Sequence, residues 1–201
     1  MARADVPKNT PKSKRRQAEL LAAAQRVFER EGYFDTRVAD IAAEAGVSHG
    51  TFYTYFDSKD DVLHALVDGI SDELFAAASA PPDERTSALD VLEHGIRTFM
   101  QVYRERADML RVLDQATASS EAFLAIRTGI RNRFRDRVER VLRSHDVGLD
   151  PVHGAYALGG MVEDFARGAY QFGLDVDEDV AITTLTLIWA RAVGLAPPPN
   201  S

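Results

Sequence analysis

Thr36-Arg37-Val38-Ala39-Asp40-Ile41-Ala42-Ala43-Glu44-Ala45-Gly46-Val47-Ser48-His49-Gly50-Thr51-Phe52-Tyr53-Thr54-Tyr55-Phe56 is the most informative segment of the chain. Its spacing is that of two short helices meeting at a glycine. Ile41, Ala42, Ala45, Val47 and Phe52 supply the apolar sites of a small core, and the two alanines are small enough for the helices to cross closely. Gly46 supplies the turn between them. Ser48 stands where a side-chain oxygen caps the second helix. The exposed side of that helix then carries His49, Gly50, Thr51, Tyr53 and Tyr55. Short polar side chains and backbone N–H groups in its first turn are of the kind that meets phosphates and base edges in a major groove. Phe52 and Phe56 read as core rather than contact, and Tyr55 is compatible with either.

Working outward, the whole chain reads as helical. No run of alternating β-branched residues lies between turn signals, so the expected class is all-α, with about nine helices. The first is expected over residues 12–31, with Leu20, Leu21, Ala24, Val27 and Phe28 on one face and Gly32 ending it in a left-handed conformation. Ser58 to Asp61 has the form of a capping box and opens a helix reaching about residue 80, where Pro81-Pro82 stops it. Further helical patterns cover residues 84–104, 107–116, and from Ser119 or Ser120 to about 144. Asp150-Pro151 is an N-cap followed by a first-turn proline; that helix runs to Phe172 or Gly173, and a last one covers residues 177–193. The expected organisation is a flexible basic arm over 1–11, a helix-turn-helix domain over 12–57, a larger domain over 58–195, and a flexible tail over 196–201.

Charge is distributed unevenly along the 201 residues. The net charge of −7 argues against a polyanionic partner, but residues 1–60 sum to +1 and residues 61–201 to −8. Arg3, Lys8, Lys12, Lys14, Arg15 and Arg16 precede or open the first amphipathic stretch. They suit phosphate contact, and equally a solvated tail.

The segment Val-Ser-x-Gly-Thr-Phe-Tyr-x-Tyr-Phe-x-Ser-Lys-Asp-Asp-Val-Leu, at Val47 to Leu63, resembles the DNA-binding signature of the TetR family of repressors. The resemblance extends over residues 16–66, including Gly32-Tyr33 and Asp40-Ile41-Ala42. It implies three N-terminal DNA-binding helices and a larger helical domain for ligand binding and dimerisation. It also implies a repressor that binds double-stranded DNA at an inverted-repeat operator and is released by a small-molecule effector. Thr36, Thr51, Tyr53, Tyr55 and Lys59 match family positions that touch phosphates, and Ser48, His49 and Gly50 match positions that approach bases. Two positions depart from the pattern. His49 stands where many members have Lys, Arg or Gln, and a neutral imidazole cannot make the bidentate guanine contact of an arginine. Ala39 stands where relatives often carry a longer polar side chain; Arg37 is expected to compensate through phosphate.

Residues 67–195 are less specific. Phe99, Tyr103, Met109, Leu113, Phe123, Ile126, Ile130 and Phe134 form an aromatic- and Met-rich set that is either ordinary core or the lining of a pocket for a largely apolar effector. Seven arginines between Arg127 and Arg143 sit on one amphipathic helix, as a solvated face paired with acidic neighbours or as a site for an anionic ligand group. The last two helices are apolar around much of their circumference, which a two-fold partner would cover. Tyr156, Gly159, Gly160, Phe165 and Trp189 are the expected dimer contacts; burial inside one subunit is the alternative reading for the aromatic ones.

Some functions are disfavoured. The chain has no cysteine, and it contains no His-Glu-x-x-His, phosphate-binding glycine loop or nucleophile elbow, so neither an enzyme, a metal site nor a cofactor is expected. No run of 18 apolar residues and no apolar leader is present, from which a cytoplasmic protein without membrane association is expected.

Overall fold

The computed structural model describes residues 10–77, 87–144 and 148–195. Nine α-helices lie among the described residues: α1 (Pro11–Asp35), α2 (Val38–Glu44), α3 (His49–Tyr55), α4 (Lys59–Ala77), α5 (Ala88–Glu105), α6 (Ala107–Thr117), α7 (Glu121–Ser144), α8 (Pro151–Gln171) and α9 (Glu178–Ala192). No strand occurs among those residues.

The helix starts follow side-chain chemistry. Thr10, Ser48, Ser87, Asp150 and Asp177 each accept a hydrogen bond from the N–H three residues on, satisfying a donor that the first turn leaves free. Ser58 does the same for the N–H of Asp61 at 3.1 Å, but the Asp61 carboxylate accepts from the Asp57 N–H at 3.0 Å rather than from Ser58. The expected box is therefore shifted by one residue on its return bond. α1 begins at Pro11 rather than residue 12, so Thr10 and Pro11 belong to its cap and first turn and not to an arm. Gly32 is left-handed as expected (φ 76°, ψ 177°), yet helical residues resume after it as far as Asp35, so the glycine kinks α1 instead of ending it. α5 starts at Ala88, where Ser87 supplies the cap. The expected arm residues 1–9, the Pro81-Pro82 stop and the tail 196–201 lie outside the described residues.

The chain divides into two units. The first unit joins the described residues up to Ile70 with Asp108–Arg127, that is, α1 to α3 and the start of α4 together with α6 and the start of α7. Its core holds Leu20, Val27 and Phe28 of α1, Ile41 of α2, Phe52 of α3 and Val62, Leu63 and Val67 of α4, all essentially inaccessible. Phe123 of α7 is also buried there, edge-on to Tyr33 at 5.7 Å and beside His64 at 5.4 Å. The second unit holds the remainder of α4 and α7 with α5, α8 and α9. There α5 packs on both α8 and α9. Ile96, Met100 and Tyr103 of α5 are buried, as are Leu158 and Val162 of α8 and Ile182 and Leu185 of α9. Polar ties reinforce that packing: Glu178 accepts from both Arg104 and Tyr170 at 2.8 Å, and Asp179 from Arg97 at 2.7 Å. Burial, then the carboxylate of Glu178, raises the Tyr170 pKa, which keeps its hydroxyl a donor. No described helix is long and apolar enough to cross a membrane.

Candidate nucleic-acid interface

The geometry of the interface begins with Phe52. Its side chain is 0% exposed and faces Phe56 at 6.0 Å. Anchoring one face of α3 in this way forces the opposite face outward. Gly46, with φ 63°, makes the turn from α2, its N–H donating to the Ala43 carbonyl at 3.0 Å and the next N–H to that of Ala42 at 2.9 Å. Ser48 is exposed; its Oγ accepts from the Thr51 N–H at 3.2 Å and shares a 3.0 Å hydrogen bond with the Thr51 hydroxyl, which orients both groups. His49 and Gly50 are exposed, and Tyr53 is 46% exposed with its ring edge-on to His49 at 6.1 Å. Thr54, which the sequence did not single out, is also exposed, its hydroxyl donating to the Gly50 carbonyl at 3.1 Å. Its i,i+4 spacing from Gly50 was the available signal. Ser48, His49, Gly50, Tyr53 and Thr54 thus form one polar outward face, whereas Thr51 and Tyr55 are half-buried beside it.

Elsewhere the predicted contacts fare differently. Arg37 is exposed at the start of α2, where its N–H is held by Asp40 at 3.1 Å; Ala39 is exposed and short, as its departure from the pattern implied. Lys12, Lys14 and Arg15 are exposed at the start of α1 and Arg16 is half-buried, with Glu19 pairing both arginines. Two expected phosphate contacts, Thr36 and Lys59, have partners within the chain. Thr36 is only 1% exposed and its hydroxyl donates to the Gly32 carbonyl at 2.6 Å, so its side chain closes the α1 kink. Lys59 points its ammonium at the end of α1, donating to the carbonyls of Tyr33 at 2.6 Å and Thr36 at 2.9 Å and sitting 4.4 Å above the Tyr33 ring. Both groups hydrogen-bond within the frame. Arg26 and Arg30 bridge α1 to Glu44 of α2, and the hydrogen bond from Arg26, ahead of the Coulombic attraction of both arginines, lowers the Glu44 pKa.

In the C-terminal half, the proposed pocket residues separate. Phe99 meets Tyr103 at 5.8 Å and Phe134 at 5.4 Å in the second unit, with Ile130 buried in the same unit. Met109, Leu113, Phe123 and Ile126 belong to the first unit. An open surface groove of about 520 Å³ is lined by none of the eight but by Phe75 of α4 and Arg137, Arg140, Val141 and Ser144 of α7. Burial, then the adjacent Arg140, lowers the Arg137 pKa, the signature of a site that disfavours one more positive charge. Of the other arginines of α7, Arg127 is buried against Asp114, whereas Arg131 on Glu163, Arg133 on Asp72, Arg135 on Asp136 and Arg143 on Glu139 follow the solvated-face reading.

The expected dimer residues divide as well. Tyr156 is 61% exposed, Gly160 is exposed, and a Cβ added at Gly159 or Gly160 would meet no atom within 4 Å. Phe165 is half-buried. Trp189 follows the alternative reading of burial inside its own subunit: it is 9% exposed, and its indole N–H donates to the Leu158 carbonyl at 3.1 Å, which ties α9 to α8. What remains outward is Val152, Tyr156 and Gly160 on α8 and Val180, Thr184 and Ile188 on α9, each set at four-residue spacing.

A buried three-helix frame that displays one polar helix face is the arrangement of a helix-turn-helix. Residues 20–66 match the sequence signature described as bacterial regulatory proteins, tetR family. Over those residues the chain is similar to that family. It is 32% identical over 129 residues to the HTH-type transcriptional regulator EthR of Mycolicibacterium smegmatis, a match covering 62% of this chain and 58% of the relative, less than two thirds of its length. Against EthR of Mycobacterium tuberculosis it is 28% identical over 202 residues, covering 91% of this chain and 89% of that one. A solved TetR-like transcriptional regulator from Rhodococcus sp. RHA1 superposes with a TM-score of 0.68 at 27% identity, covering 87% of this chain and 94% of the other.

Proposed function

We propose that the protein is a homodimeric repressor that reads an inverted-repeat operator with α3 and leaves it when a small molecule binds. The observation that carries this reading is the outward face of Ser48, His49, Gly50, Tyr53 and Thr54 on a helix whose other side is fixed by the buried Phe52. Phosphate contact then falls to Arg37, Thr51, Tyr53, Tyr55 and the exposed cations at the start of α1. Base contact falls to Ser48, His49 and Gly50. Support for the dimer is the outward apolar face of α8 and α9, with Tyr156, Gly159 and Gly160 at its centre. The effector suited to the open groove beside Phe75, Arg137 and Arg140 is a molecule with an acidic head and an apolar part. Release requires that the effector favour a conformation in which the two α3 helices no longer match successive major grooves, since equal affinity for both conformations shifts nothing.

Selection of binding sequences from a random DNA pool by the full chain tests the reading. An inverted repeat with half-site centres about 34 to 36 Å apart is the expected product. Recovery of no preferred sequence would overturn it.

A further inference from the structure

The kink in α1 is held by groups that a DNA-reading role does not use. At Gly32 the backbone leaves the helix, and the N–H of Tyr33 is taken by a side chain 82 residues away: the Oε1 of Gln115, on α6, accepts it at 2.9 Å. A Cβ at position 32 would lie 2.9 Å from the same oxygen, so the absence of a side chain there and the presence of the amide fit as a pair. The carbonyls of the kink are taken from another direction, that of Tyr33 and Thr36 by the Lys59 ammonium and that of Gly32 by the Thr36 hydroxyl. The Tyr33 ring is fixed between Phe123 of α7 and its own hydrogen bond to Asp60 of α4 at 3.0 Å. Burial, foremost, raises the Tyr33 pKa and keeps that hydroxyl protonated. Beside Gln115, Asp114 receives the buried Arg127 at 2.9 Å, which ties α6 to α7. All of these groups lie in the first unit, and α2 starts two residues after Thr36.

We propose that Gln115 is a positioning residue for DNA recognition, fixing the Gly32–Tyr33 kink through the Tyr33 N–H and with it the direction in which α2 and α3 leave α1. This rests on the DNA-binding reading above. Segment Asp108–Arg127 is then part of the reading head, although it lies some fifty residues beyond the helix-turn-helix in sequence. A kink held on both its N–H and its carbonyls presents α3 at one angle; released on the N–H side, it samples several.

The test uses the full chain and the DNA that wild type selects, with its spacer also lengthened and shortened by one and two base pairs. Gln115→Met keeps the length and loses the acceptor, leaving a partly buried N–H unsatisfied. It should bind the selected spacing about tenfold more weakly and discriminate less among spacers. Gln115→Glu, which keeps an acceptor, should retain the wild-type spacer profile. A loss equal at every spacing, or an unchanged profile, would overturn the proposal. Amide hydrogen exchange in the DNA-free wild-type protein gives a reading that needs no variant: the Tyr33 N–H should exchange as slowly as the N–H groups inside α1, and rapid exchange there would refute the hydrogen bond. Wild type selecting no DNA at all would overturn the proposed function instead, with the exchange result unaffected.

Discussion

Replacing Lys59 with methionine keeps the length of the side chain and removes its charge and three donors. Two of its three contacts, at 2.6 and 2.9 Å to the carbonyls of Tyr33 and Thr36, have good hydrogen-bond lengths, while the third, to Phe34 at 3.4 Å, is long and contributes little. Hydrogen bonds to a charged group contribute about 1.5 to 3 kcal/mol when buried, and the half-exposed position puts these at the low end. The ammonium over the Tyr33 ring adds about 0.5 to 1 kcal/mol. Because the carbonyls share one cation the parts do not add fully, and a loss of about 2 to 3 kcal/mol is expected. Urea unfolding followed by circular dichroism measures it. The DNA-binding arm of the experiment separates this role from phosphate contact: the slope of log affinity against log salt should be unchanged in Lys59→Met, since no counterion is released by a lysine turned inward. A stability loss below about 0.5 kcal/mol combined with a slope lower by about one would refute the reasoning and return Lys59 to the phosphate.

Gly32→Ala should destabilise the protein by about 1 to 3 kcal/mol from backbone strain at φ 76°. Combining it with Gln115→Ala should give a non-additive cycle, because the Cβ and the amide oxygen compete for one place. His49→Ala should lose roughly 1 to 3 kcal/mol on the selected operator and little on random DNA, relaxing preference at one position of each half-site; equal loss on both DNAs would reassign it to the backbone. Gly160→Arg should give monomer or aggregate in light scattering, because a long charged side chain would enter the open face of α8; an unaltered dimer would place the interface elsewhere.

What the sequence disclosed was what depends on near neighbours along the chain. The Ser48 cap, the Gly46 turn and the buried Phe52 follow from three- and four-residue spacings, and the structure has all of them. The partners of Lys59 are set by how α4 approaches the end of α1, which no local pattern records, whereas the Thr36 hydroxyl bonds the Gly32 carbonyl only four residues back, through the kink. One signal existed: a lysine in the first turn of a helix sits at the positive end of the dipole, so its charge is better satisfied elsewhere. Gln115 had no such mark, its partner lying 82 residues away. Trp189 was ambiguous for a different reason. A helix apolar on two faces shows that both are covered without showing by what, and α9 turns Ile182, Leu185 and Trp189 inward while leaving Val180 and Ile188 outside.

Trp189 is also the chain's single tryptophan, so the molecule carries one native fluorophore, and it reports on the second unit. A buried indole hydrogen-bonded to a backbone carbonyl emits at shorter wavelength than one in water, and exposing it shifts the emission to the red. The first unit, with Tyr33, Tyr53 and Tyr55, is silent when excitation is set beyond the tyrosine band. Circular dichroism, by contrast, sees the helices of both. Running the two optical signals through one urea titration therefore measures whether the units unfold as a single cooperative body: coincident curves mean that they do, and a tryptophan transition displaced from the helical one means that each has its own midpoint.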